Sequence, residues 1–266
     1  MTSPLQRHHD DQHPAGVLVV VAVPAEAEAV LRGLGHGAAP HAVPGGELRR
    51  SLLSTGAPVD VLAGGVGPAA VAAATAAALA TFPYRLVVSA GIAGGFAPQA
   101  PVGSVVVATE LVAADLGAES PEGFLDVEQL GFGRTRYTPP AAAVALAAGD
   151  LRAAAVIAPG PGATARPLLT VATGPVLTVS TVTGSAERAA ELADRHPGAV
   201  AEAMEGHGVA EAAARFGLPA LEIRAVSNPV GPRDRSAWRI GEALAALELA
   251  FQVLPLPAVL EALPRD

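Results

Sequence analysis

The chain has 266 residues, no cysteine and a formal net charge of −8. That length accommodates one large domain with a full core, and the absence of cysteine excludes disulfides, thiolate nucleophiles and cysteine-ligated zinc. The acidic balance, with Lys and Arg scattered, argues against nucleic-acid and anionic membrane surfaces, and no apolar run approaches the ~20 residues that span a bilayer.

Residues 1–16, MTSPLQRHHDDQHPAG, lack the apolar core of a signal peptide. They read as a disordered polar tail, whose RHHDDQH frames no fixed metal site, and the cytoplasm is the default location. A single domain is expected over 17–266. GVLVVVAV (16–23) is an apolar run of strand length, as in strands buried on both faces. PAEAEAVLRGLG (24–35) has Pro in the first turn and a Gly stop, so it reads as a helix. VDVLAGGVGPAAVAAATAAALATF repeats the pattern of strand, Gly-rich turn and helix. YRLVVSAGIAGGFAP reads as a third strand running into a second Gly-rich turn, and 102–115 as an extended β-branched segment. Residues 116–167 are less regular, with an Ala helix at 139–149. RPLLTVATG and PVLTVSTVTG read as two strands, SAERAAELADRH as a helix capped by Ser185, and AVAEAMEGHGVAEAAARFG as a short strand into a helix. LPALEIRAVSN is the last strand and SAWRIGEALAALELAFQVL the last helix. Alternating strands and helices imply a three-layer αβα sandwich, and the extended middle makes its central sheet mixed.

In open α/β sheets, sites lie beyond the carboxyl ends of the strands. Standing there are Glu26, then Gly64, Gly65 and Gly67, then Gly91, Gly94 and Gly95, the VTG of 182–184, Met204 and Glu205, and finally Ser227 and Asn228, with Arg224 just inside. Taken singly, each has an ordinary reading. An acidic residue is favoured in a first helical turn, Gly-rich turns join strands to helices, methionine fills cores, and Asn before Pro starts turns. The glycines do not match the dinucleotide fingerprint. Glu205 is harder to dismiss, because a carboxylate entering an Ala-rich helix is costly unless partnered. His207, two residues on, is open to a solvent-facing reading and is assigned no role.

Together these segments resemble the nucleoside phosphorylase/nucleosidase superfamily over roughly 17–252. AVPAEAE, GGVGP (64–68), GIAGG (91–95), EAME (202–205) and IRAVSN (223–228) match its motifs in order. The resemblance implies a nucleoside phosphorylase-like fold, Glu26 as the water-activating group assisted by Arg224, and Glu205 gripping the ribose hydroxyls with Met204 against the sugar. It further implies substrate contacts at Gly65, Ile92, Ala93, Gly94, Val182, Thr183 and Ser227, with Asn228 and the Thr183 backbone reading the base and Val182 against its face. No metal or cofactor is implied. The partner is a small nucleoside, and a homo-oligomer of two or more copies is a family expectation. Two departures stand out: Ile92 replaces a family serine, and Asn228 replaces the aspartate that serves adenine in methylthioadenosine nucleosidases.

The amide has a chemical reading. A 6-oxopurine presents a carbonyl where adenine presents an amino group, and a carboxylate there would face another acceptor. An amide offers NH₂ to the carbonyl and C=O to a protonated N7. VPAEAEA brings two carboxylates and no cation, which favours water over phosphate. SNPVGPRDRSAW resembles the futalosine hydrolase branch, which implies cleavage of futalosine to hypoxanthine on a route to menaquinone. The benzoate of that substrate wants an arginine, among Arg134, Arg136, Arg233, Arg235 and Arg239. The alternatives are a methylthioadenosine/S-adenosylhomocysteine nucleosidase, a 6-oxopurine nucleoside phosphorylase, and a non-catalytic nucleoside-binding protein.

Overall fold

The computed structural model describes residues 15–35, 38–156 and 169–264. Strand β1 (Gly16–Val21) shows how the sequence builds the layers. Val17, Val19 and Val21 face one apolar core, and Leu18 and Val20 face another. Both faces are therefore covered, and each fully buried Val or Leu contributes about 1.5–3 kcal/mol. On one side lie α1 (Pro24–Leu34), α3 (Ala141–Val156), α6 (Ile240–Val253) and α7 (Leu256–Ala262); on the other lie α2 (Pro68–Thr81) and α5 (Gly206–Arg215). Helix α1 starts at Pro24, whose missing N–H costs nothing there, and stops at Gly35, with φ of 90°. Helix α4 (Ala186–Arg195) is capped by Ser185, whose side chain accepts from the Arg188 N–H.

The remaining strands are β2 (Ala39–Val43), β3 (Gly46–Leu52), β4 (Pro58–Ala63), β5 (Tyr84–Gly95), β6 (Val105–Ala113), β7 (Gly117–Ser120), β8 (Gly123–Asp126), β9 (Arg136–Tyr137), β10 (Val171–Thr178), β11 (Ala201–Ala203) and β12 (Ala220–Pro229). The main sheet runs β11-β10-β6-β12-β5-β1-β4-β3-β2, with β9 on β6. It is mixed, as expected: β1 is parallel to β4 and β5, whereas β6 is antiparallel to β12 and β3 to β4. Strand β11 pairs with β10 and also with β5, so that end of the sheet curls round on itself. The carboxyl ends of β5, β11 and β12 are thereby drawn together.

Several local expectations are corrected. GIAGG is not a turn but the last part of β5, with Gly94 and Gly95 paired to β11 on one side and β12 on the other. RPLLTVATG and PVLTVSTVTG contribute a single strand, β10, with a register shift between Gly174 and Pro175; residues 166–168 lie outside the described residues. Strand β12 passes Asn228 and ends at Pro229. Its ladder shifts between Val226 and Asn228, and Pro is tolerated at such an irregularity. The irregular middle holds an antiparallel hairpin, β7–β8, and α3 runs past the expected end of the Ala helix. Helix α7 follows the helix read as last. Residues 1–14, including RHHDDQH, lie outside the described residues, and β1 takes Gly16 from the expected tail.

Candidate active site

A cavity of about 300 Å³ opens where β1, β4, β5, β11 and β12 end. That is the lower end of the range of small-molecule pockets, about 300–1,000 Å³. Its acidic lining is Glu26, Glu202 and Glu205; its neutral polar lining is Ser227 and Asn228; its walls include Ile92, Ala93, Gly94, Val182, Met204 and Trp238. Among the described residues, no Lys, Arg or His lines it.

Glu26 reaches the cavity because β1 ends just before α1, which puts its carboxylate back over the strand end. Oε2 accepts from the N–H groups of Ala22 (2.9 Å) and Val23 (3.1 Å), and Oε1 from the N–H of Ile92 (2.8 Å). Where the family has a serine side chain, this chain thus offers a backbone donor and an apolar wall. Burial pushes the Glu26 carboxyl above the usual carboxylate range, against the pull of the Ile92 N–H and the Arg224 charge.

Glu205 stands at the start of α5. Oε1 accepts from the Gly67 N–H (3.3 Å) and Oε2 from the Met204 N–H (3.2 Å), so the GGVGP loop is tied to the carboxylate, and its Val66 lines the cavity. Arg224 lies behind both acids and is 0% exposed. Its Nη1 is 3.2 Å from Glu205 Oε2, its Nη2 donates to Ser89 Oγ (3.0 Å), and its Nε donates to Glu222 (2.8 Å). Gly91, with φ of 151°, makes room: a Cβ there would meet Glu26 Oε1 at 2.6 Å and Arg224 Nη1 at 2.8 Å.

On the other side of the cavity, Glu202 and Asn228 both pair with Gly94, one from each flanking strand. Both side chains line the cavity, and a Cβ on the glycine between them would lie 3.0 Å from Val230 Cγ2 and 3.3 Å from Asn228 Nδ2. Glu202 Oε1 accepts from the Thr183 N–H (2.9 Å), Oε2 accepts from the Thr183 hydroxyl, and burial raises its pKa. The Ser227 hydroxyl lies 2.8 Å from Asn228 Oδ1 and 3.2 Å from the Ala93 carbonyl, and Asn228 Nδ2 donates to the Pro229 carbonyl (3.0 Å).

The structure thus brings Glu26, Ile92, Ala93, Gly94, Val182, Met204, Glu205, Ser227 and Asn228 to one cavity, with Arg224 directly behind. It does not put Gly65 or Thr183 on the lining. The Gly65 N–H donates to the Ala22 carbonyl, and the Thr183 N–H is taken by Glu202. His207 is buried, not solvent-facing. Its N–H donates to Thr178 Oγ1, its Nε2 lies 3.0 Å from the Arg134 carbonyl, and burial lowers its pKa. None of the five candidate arginines lines the cavity. Arg136 is held by Glu110, whereas the Arg233 guanidinium lies 5.9 Å from the ring of Trp238, which does line it. Glu202, Glu222, Ser89 and Trp238 were not singled out from the sequence. No group of metal-ligating side chains occurs among the described residues, and no single described helix is long and apolar enough to cross a membrane.

Comparison with known proteins agrees with this geometry. Residues 17–254 match the phosphorylase superfamily. The chain is 57% identical over 236 residues to a futalosine hydrolase of Streptomyces coelicolor, covering 87% of this chain and 91% of that one. It is 48% identical to a futalosine hydrolase of Acidothermus cellulolyticus, covering 89% of each. In fold it is similar to a Helicobacter pylori nucleosidase mutant holding 5′-methylthioadenosine in its active site, with a TM-score of 0.76 at 18% identity, covering 94% of this chain and 100% of that one. A buried arginine with its carboxylates, read together with a match over nearly the whole chain, leads to one assignment: the chain belongs to the phosphorylase superfamily and, within it, to the futalosine hydrolases.

Proposed function

We propose that this chain hydrolyses the N-glycosidic bond of futalosine, releasing hypoxanthine and dehypoxanthine futalosine on a route to menaquinone. The observation that carries this reading is a cavity lined, among the described residues, by three carboxylates and no cation. Phosphate would be repelled there, whereas water is attracted and activated.

Cleavage leaves positive charge on the ribosyl ring and negative charge on the departing base. Glu26, held by three backbone N–H groups, accepts a proton from the attacking water. Glu205 accepts hydrogen bonds from the 2′ and 3′ hydroxyls and opposes the ribosyl cation, with Met204 packed against the sugar. Arg224 does not reach the cavity; it holds Glu205 and Glu26 as anions from behind. Asn228 gives NH₂ to the purine carbonyl and C=O to the N7–H, whose proton the departing base takes from solvent while Glu26 holds the one released by the attacking water, so the two balance over the turnover. A 6-oxopurine also carries an N1–H that adenine lacks, and Glu202 across Gly94 supplies an acceptor for it, since each carboxylate oxygen keeps a second lone pair. Thr183 serves by fixing Glu202, and Val182 covers the face of the base. The benzoate end is assigned to the side of the cavity at Trp238, with Arg233, whose guanidinium lies 5.9 Å from that ring, as its cation.

The same proposal takes the chain from residue 17 as one nucleosidase domain, supported by the single ten-stranded sheet that takes in both the first strand, β1, and the last, β12. It acts in the cytoplasm as a homo-oligomer. Purified protein should release hypoxanthine from futalosine equally well with and without phosphate, as followed by chromatography, and act far less on methylthioadenosine. A strict need for phosphate would indicate a phosphorylase; no release from any nucleoside would indicate a binding protein.

A further inference from the structure

Glu222 is a buried acid beside the site that the chemistry above leaves unused. It stands inside β12 and is 0% exposed. One oxygen accepts from Arg224 Nε at 2.8 Å, and the other has no hydrogen-bond partner. Residues two apart on a strand share a face, so Glu222 and Arg224 project together beneath the start of α5. Gly206, the residue after Glu205, presses on this carboxylate: a Cβ there would lie 2.3 Å from its Oε2. Arg224 is thus pinned at Nε by Glu222 and at Nη2 by Ser89. Only Nη1 remains, and it faces Glu205 and, above Gly91, Glu26.

We propose that Glu222 is a positioning residue, which fixes the guanidinium of Arg224 through Nε and so sets how that charge is presented to Glu205 and Glu26. The inference rests on the roles given to Glu26 and Glu205 above. A planar guanidinium held on two edges presents the third in a fixed direction. When Glu222 is neutral, the Arg224 charge serves Glu205 and Glu26; when it ionises, it competes for the same cation. The charged groups facing it are Arg224 on its own strand, Glu205 at the start of α5 and, through Arg224, Glu26 on α1; Ser89 on β5 is neutral. Burial pushes the Glu222 carboxyl up to about 7, so the competition begins near neutral pH. Because the folded-state value is raised, the stability linked to Glu222 is full below the ordinary carboxylate pKa and lost as pH rises towards 7.

The test uses hypoxanthine release from futalosine between about pH 5 and about pH 9, the range where such limbs are read. Glu222→Gln keeps an acceptor for Nε and removes the competing charge. The wild type should lose kcat/KM as pH rises through about 7, where Glu222 ionises and competes for Arg224, and the glutamine variant should lack that loss. Glu222→Ala removes the acceptor and should lower kcat on the order of 10²-fold through misplacement of Arg224, with KM changed far less. The melting temperature of the wild type should fall relative to Glu222→Gln as pH rises from about 5 to about 8. If Glu222→Gln titrates like the wild type, the carboxylate is merely structural and the proposal is overturned, whether or not the alanine variant folds. A wild type that releases no hypoxanthine would overturn the functional reading instead, so the two failures are distinct.

Discussion

The molecule contains two buried charge clusters built from similar parts to opposite ends. On β3, β4 and the start of β5, Asp60 is 0% exposed and receives Arg50 through two hydrogen bonds, of 2.8 and 2.7 Å, and the Tyr84 hydroxyl at 2.6 Å. Arg50 also lies 4.5 Å from the Phe82 ring. Here one carboxylate meets one guanidinium, and the phenol and the ring complete the shell. At the other ends of β1, β5 and β12, one guanidinium faces three carboxylates, and a Glu222 oxygen and Arg224 Nη1 are left without hydrogen bonds. A matched cluster resists change; an unmatched one holds excess negative charge ready for a proton and a cation. The chain keeps the second cluster folded by aiming backbone N–H groups at its acids, from Ala22, Val23, Ile92, Gly67 and Met204.

Substitutions should separate the two clusters. Glu26→Gln removes the base, and kcat for futalosine should fall by about 10²–10⁴-fold while calorimetry still shows substrate binding. In the wild type, burial raises the Glu26 pKa, so kcat/KM should decline as pH falls through a value above the ordinary carboxylate range; the glutamine variant should lose that limb. Loss of binding together with turnover would make Glu26 structural. Glu205→Gln removes the anion opposite the ribosyl cation and should lower kcat by about 10²–10³-fold with an unchanged melting temperature. Retention of most activity would remove Glu205 from the ribose. Asp60→Asn should do the reverse. It leaves Arg50 unpaired and should lower stability by about 2–4 kcal/mol, read by denaturant unfolding, with kcat intact. If Asp60→Asn instead reduced kcat at full stability, the division between the clusters would fail.

Much of the catalytic cluster is legible in the sequence, because its members stand at the ends of apolar runs. Glu26 follows GVLVVVAV, Glu205 follows AVAEAM, and Asn228 ends EIRAVS. Glu222 is hidden for the opposite reason, being inside the run. The available signal is a pair of opposite charges two residues apart in an apolar strand, Glu222 and Arg224, which only a shared buried face explains. GIAGG misleads because glycine usually marks a turn. Here its small residues let β11 and β12 approach β5 from either side and leave space above Gly91 for Glu26 and Arg224. The pairing that sets Glu202 opposite Asn228 depends on β11 bridging β10 and β5, a long-range register without a local pattern. Trp238 comes from an irregular stretch between β12 and α6, where no periodicity identifies a wall residue. The hairpin of β2 and β3 is half exposed and carries Pro40, which weakens its strand signal.

The central claim is that Asn228 selects a 6-oxopurine, and Asn228→Asp tests it most directly. The substitution keeps the shape and replaces a donor with an acceptor facing the purine carbonyl. Specificity constants are compared for futalosine and its 6-amino counterpart, so that the 5′ end is held constant. The ratio of oxo to amino substrate should fall roughly ten- to a hundredfold, as expected for 1–3 kcal/mol of opposed acceptors. The loss on futalosine should shrink at lower pH, where a neutral aspartic acid regains a donor. An unchanged ratio would contradict the account and leave Asn228 as an ordinary residue at the end of a strand.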